Sequence, residues 1–172
     1  MIAADNTDVL VTLPSDREIT FTCTFRHNRS RLFDAWTQPR HIRQWWGCDG
    51  TRVLECDIDL RQGGAWRIVG WMPESGAQTF SGVYQEIIPA RQLVYTERYE
   101  APQFGDPNWQ TMVTFDDVTD GTRLTHTILH LSREARDMHL KVGMETGAKQ
   151  SLARLDECLR ALKRRGGAVF IG

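Results

Sequence analysis

RLFDAWTQPRHIRQWWG, residues 31–47, decides how the rest of this chain is read. Leu32, Phe33, Ala35 and Trp36 share one side of a helix, which must stop before Pro39 because the residue preceding a proline avoids helical backbone. Pro39 then opens a second short helix carrying His41, Ile42 and the pair Trp45-Trp46, and Gly47 supplies a turn. Large amphipathic rings beside a helix break line or close clefts. The competing reading is that one indole only packs the short helices onto a sheet.

Upstream, residues 18–25 alternate, with Ile19, Phe21, Cys23 and Phe25 on one face and Glu18, Thr20, Thr22 and Thr24 on the other. That period of two predicts a half-buried strand. Asn28 or Ser30 can cap the helix that follows. Residues 1–16 are expected to form a partly disordered leader with one short strand at 9–13. Downstream come six strand-like runs with no long helix between them: 52–60, 65–72, 78–88, 91–99, 109–115 and 122–131. Short turns join them, so neighbours should be antiparallel. In the first run Leu54, Cys56, Ile58 and Leu60 are expected on one side. Asp59 and Arg61 should tie the turn at Gly63-Gly64 by an ion pair. Ser132 opens a helical region that Gly143 and Gly147 interrupt. Met144, Ala148, Leu152, Leu155, Leu159 and Leu162 then trace one face of a long helix. Residues 17–165 are read as one domain and 166–172 as a tail.

With 172 residues, 25% charged content and a net charge of -1, the chain gives no electrostatic ground for binding nucleic acid or an anionic membrane. No apolar run reaches the roughly 18 residues of a bilayer span. The N-terminus has no basic region followed by an apolar core, so the cytoplasm is expected. Among four cysteines there is no CxxC pair. Cys23, Cys56 and Cys158 read as core residues, and Cys48 lies in a loop beside the tryptophans. Ser81 and Ser151 have no nucleophile-elbow context, and no glycine-rich loop suits a phosphate.

The order is strand, two short helices, six strands, long helix. The fold class is therefore α+β: a curved antiparallel sheet of six to seven strands wrapped around a long C-terminal helix. Curling the sheet over one helix leaves an apolar gap between them. FDAWTQPRHIRQWWG (33–47), DLRQGGAWR (59–67), GVYQEIIPARQLVYT (82–96), VTF (113–115), GTRLT (121–125) and GMETGAKQSLARLDECL (143–159) occur in sequence. In this order they resemble the START/Bet v 1-like helix-grip (SRPBCC) superfamily. Within it, the chain is similar to homologues of the C-terminal domain of the heat-shock protein 90 ATPase activator. The resemblance implies a cavity for a hydrophobic or amphipathic molecule, with no metal or organic cofactor. Relatives in the superfamily carry lipids, bind hormones or cyclise polyketides, and a few assist a chaperone ATPase. The eukaryotic activator has a further N-terminal domain, which the residues before Glu18 are too few to form. This counts against a full co-chaperone role.

The expected function is binding of a small hydrophobic or aromatic ligand. Candidate contacts are Trp45, Trp46, Trp66, Tyr84, Tyr95, Glu97, Trp109, Met112, His126 and Met144. Trp66 shares a strand face with Ile68, and Trp71 shares the other with Val69; periodicity leaves open which face is concave. Met112 is out of phase with Trp109, so at most one of them should face the pocket. Glu86, Glu97 and His126 would be polar groups in an apolar pocket, each needing a partner or an abnormal pKa. A Glu97–His126 pair would suit acid/base work in a cyclase or hydrolase, the enzymatic alternative; a solvated or structural role is the blander one. A Glu/His/His metal site has no compact ligand motif behind it. A protein-interaction module, such as one modulating a chaperone ATPase, would need a filled core and an exposed apolar patch. A homodimer stays open.

Overall fold

The computed structural model describes residues 8–166. A short strand β1 (Leu10–Thr12) and strand β2 (Glu18–Phe25) lead into helices α1 (Arg29–Thr37) and α2 (Pro39–Trp45). Six strands follow: β3 (Arg52–Ile58), β4 (Ala65–Met72), β5 (Gly76–Ile88), β6 (Gln92–Tyr99), β7 (Asn108–Val118) and β8 (Gly121–His130). Helices α3 (Arg133–Lys141) and α4 (Met144–Gly166) end the described chain. The strands form one antiparallel sheet in the order β1-β2-β8-β7-β6-β5-β4-β3. This is the expected helix-grip class with eight strands instead of six to seven. The extra strand comes from the leader: Leu10–Thr12 pairs with Thr20–Thr22 and adds an edge. Residues 1–7 of the leader and 167–172 of the tail lie outside the described residues.

Local chemistry accounts for the helix ends. The Asn28 side chain accepts from the Arg31 amide at 2.9 Å, capping α1, and Ser132 does the same for α3 through Ala135 at 3.1 Å. Gly143, with φ +87°, separates α3 from α4. Asp59 and Arg61 close the β3–β4 turn with a 2.8 Å ion pair.

One hydrophobic core joins sheet and helices. Ile19, Phe21 and Phe25 of β2, Leu32 of α1, and Leu155 and Leu159 of α4 have no exposed surface. Cys23, Cys56 and Cys158 are buried, and burial pushes the first two thiols up to about 12 and about 11. Two bulges break the simple alternation. One lies between Val53 and Glu55, so Leu54 is 50% exposed instead of sharing the inner side with Cys56. The other lies between Tyr84 and Glu86. It turns Glu86 outward, where it accepts from Gln92 at 2.9 Å, so Glu86 is not a pocket residue.

Candidate functional site

The gap between the sheet and α4 is a cavity of about 440 Å³. Its floor is the concave face of β4 to β8, and its walls are α1, α2, the α2–β3 loop and the α3–α4 junction. Val142, Gly143 and Thr146 line it and are also exposed, so the mouth is at that junction.

The cavity brings together Trp45, Trp46, Trp66, Tyr84, Tyr95, Glu97, Trp109, His126 and Met144. Met112 is the exception among the candidates. It sits on the outer face of β7, 39% exposed, because Trp109, Thr111 and Val113 take the inward phase. The concave phase of β4 is the one carrying Trp66 and Ile68; Trp71 lies instead under the Arg52 guanidinium, 4.7 Å from its ring centre.

The indoles are held in place by the backbone. Trp45 donates to the Ala35 carbonyl at 2.8 Å, tying α2 to α1. Trp66 donates to the Thr96 carbonyl at 3.1 Å. That reach across β5 is open only because residue 82 is glycine: a Cβ there would lie 1.7 Å from the Thr96 oxygen and 2.6 Å from the indole nitrogen. Trp46 stands edge-on to Phe80 at 5.2 Å, and Trp36 stacks at a tilt on Trp45 at 4.9 Å.

The loop after α2 is fastened to α4. Ser151 donates to the Gly47 carbonyl at 2.7 Å, and the Asp49 amide donates to Gln150 at 3.0 Å. The Arg154 guanidinium donates to the carbonyls of Cys48 at 2.8 Å and Gly47 at 3.2 Å, with longer bonds to Trp46, Gln44 and Thr51. A cation at the carboxyl end of α2 satisfies carbonyls that have no helical partner.

The polar groups sit on two separate rows of the register. Glu97 of β6 pairs with Trp109 of β7, which pairs with His130 of β8. His126 belongs to another row, opposite Val113 and Leu93. Glu97 and His126 therefore do not form the expected acid/base pair. Glu97 accepts from the Thr111 hydroxyl at 3.2 Å. Burial raises its pKa, while the Trp109 indole beside it and the Thr111 bond pull the other way. His126 lies between Phe21 and Trp36 with ring centres 5.9 and 5.5 Å away, and burial lowers its pKa to about 4. The His126 Nε2 and Trp109 Nε1 atoms are buried without a hydrogen-bond partner. Groups left so are unusual and need a reason.

His139 of α3 also lines the cavity and was not a candidate from the sequence. Its ring lies 4.4 Å from that of Trp109, and its Nδ1 is 2.9 Å from His130 Nε2. His130 Nδ1 is 3.0 Å from the Arg17 carbonyl. A carbonyl only accepts, so His130 carries its proton on Nδ1 and accepts on Nε2. His139 then donates from Nδ1 and keeps a lone pair on Nε2. Burial, with help from His130 and His126, lowers the His139 pKa to about 4. Among the described residues no three His, Cys, Asp or Glu side chains converge as a metal-ligand set.

A family model described as activator of Hsp90 ATPase homolog 1-like protein matches residues 26–160. The chain belongs to that family. No curated protein sequence matches this activator-homologue domain. Solved structures share its fold. A Rhodobacter sphaeroides crystal structure aligns with a TM-score of 0.82 at 24% identity, covering 90% of this chain and 99% of that one. A Mycobacterium smegmatis protein gives 0.80 at 23%, covering 91% and 98%. A Nitrosomonas europaea protein gives 0.79 at 20%, covering 88% and 99%. At these identities the likeness establishes the fold. Among the described residues no helix is long and apolar enough to cross a membrane.

Proposed function

We propose that this activator-homologue domain binds a small apolar or aromatic molecule in the cavity between sheet and α4, and does so in the cytoplasm. The observation that carries this reading is a cavity of about 440 Å³ walled by Trp36, Trp45, Trp46, Trp66 and Trp109. That volume lies within the range of roughly 300–1,000 Å³ usual for small-molecule sites. A domain needing only a stable core would gain by filling such a space, since voids lose packing energy. The placement of Glu97 and His126 on separate rows of the sheet favours binding over the acid/base alternative. A chaperone-modulating role predicts a filled core and an exposed apolar patch, and the open cavity speaks against the first of these.

Native mass spectrometry of the purified protein tests the reading, followed by a thermal-shift screen of lipids and aromatics. A co-purifying mass, or stabilisation by one chemical class, is the expected result. No bound mass and no shift from any class would overturn it and favour an interaction role.

A further inference from the structure

Among the described residues lining the cavity, Glu97 is the one carboxylic acid, and no lysine or arginine is among them. Arg154, two residues beyond the lining residue Leu152 on α4, spends its guanidinium on backbone carbonyls of residues 44–51, and Arg98, beside Glu97 in β6, is paired with Asp106. The imidazoles of His126 and His139 are neutral at physiological pH, since burial lowers both pKa values to about 4. The cavity therefore holds a carboxyl group with no cation to balance it. A carboxylate out of water requires a counter-charge or a proton.

The surroundings of Glu97 say which kind of partner fits. Tyr95 lies two residues away on the same face of β6, Trp109 opposite on β7, and Trp66 stands edge-on to Tyr95 at 5.7 Å. His139 lies over Trp109, and with its Nδ1 proton spent on His130 its lone pair falls on Nε2. This end of the cavity thus presents two acceptors, the Glu97 carboxylate and the His139 imidazole, and one unpaired donor, the Trp109 indole N–H, within aromatic walls. Aromatic faces attract cations electrostatically, more so where water is excluded. An anionic ligand would meet Glu97 with no cation to receive it.

We propose that the cavity takes a ligand with an apolar or aromatic body and a protonated amine, its ammonium group held between Glu97 and His139 beside Trp109. This rests on the binding reading above and names its ligand class.

The test uses three matched probes, 2-(2-naphthyl)ethylamine, 2-(2-naphthyl)ethanol and 2-naphthylacetate, titrated calorimetrically into the wild-type chain and Glu97→Gln. Separately, the neutral dye N-phenyl-1-naphthylamine reports on the cavity by fluorescence. The expected result is that wild type binds the amine at least tenfold tighter than the alcohol and the carboxylate weakest. In Glu97→Gln the amine's advantage over the alcohol should vanish while dye and alcohol binding persist. Alcohol or carboxylate binding as tight as the amine in wild type would overturn the proposal, and so would an amine preference that survives in Glu97→Gln. Dye binding in either case would leave the general binding reading standing. No binding of dye or of any probe would overturn both.

Discussion

Arg154 offers the sharpest test of how the cavity wall is held. Replacing it by Met keeps most of the aliphatic stem and removes five donated bonds, one to Gln44 in the last turn of α2 and four to the segment after it. Two of these are short, to Cys48 at 2.8 Å and Gly47 at 3.2 Å. A hydrogen bond from a charged donor contributes about 1.5–3 kcal/mol, and the long bonds add little. Arg154 is partly exposed, so water takes over some of the freed carbonyls. The expected net loss is about 2–3 kcal/mol, which for a domain of this size lowers Tm by roughly 5–10 °C. Arg154→Lys keeps the charge but lacks the planar fork, and should recover less than half of the loss. Denaturant unfolding measures the energy, and hydrogen exchange localises it. The amides of Trp46, Asp49 and Thr51, bonded to Ile42, Gln150 and Cys48, should exchange faster in Arg154→Met. A variant within 0.5 kcal/mol of wild type, with those amides unchanged, would refute the idea that α4 fastens this loop.

Three further outcomes are expected. Leu155→Ala, at a site with no exposed surface on α4, should cost about 2–5 kcal/mol in denaturant unfolding. Ala148→Phe projects a ring into the cavity from α4; it should abolish N-phenyl-1-naphthylamine binding while Tm stays level or rises. Acid should weaken the fold. His126 and His139 have an ordinary pKa of 6.5 when unfolded and about 4 when folded, so the unfolded chain binds more protons between those values. Stability is therefore fully present above pH 6.5 and falls as pH drops toward 4, by roughly 2–4 kcal/mol for the pair between pH 7 and 5. Glu97, raised in the fold, acts in the opposite sense, its contribution being lost as pH rises. Unfolding curves at pH 7 and 5 for wild type and His126→Gln check this, the variant showing the shallower fall.

The fold was readable in the sequence because its signals are local. The alternation at Ile19, Phe21, Cys23 and Phe25 survives as the buried face of β2, and the leucines of α4 keep their helical spacing. Periodicity failed at Leu54 and Glu86, where a bulge inserts one residue and inverts the phase; no residue type announces such an insertion. Trp66, Tyr84, Tyr95 and Trp109 line the cavity as candidates, although strand phase left the concave face open; Trp36 and Phe80 line it without having been candidates, and Met112 fell on the outer face. Register was the hidden quantity for the polar groups. Which residue of β8 lies in the row of Glu97 depends on two successive pairings, and those put His130 there, not His126. His139 was invisible because α3 is polar along most of its length, and its importance arises from a contact with β8. Arg154 reads in sequence as an ordinary surface arginine, and only the docking of α4 beside the α2 terminus gives it five carbonyls.

Five of the six tryptophans line the cavity, and only Trp71 stands apart beneath Arg52. The intrinsic emission of the protein is thus almost wholly a signal from one space. Any molecule that enters displaces water from, or stacks on, most of the fluorophores at once. Occupancy can be followed without a label, by a spectral shift or by quenching, and Trp71→Phe would remove the one contribution that does not report on it.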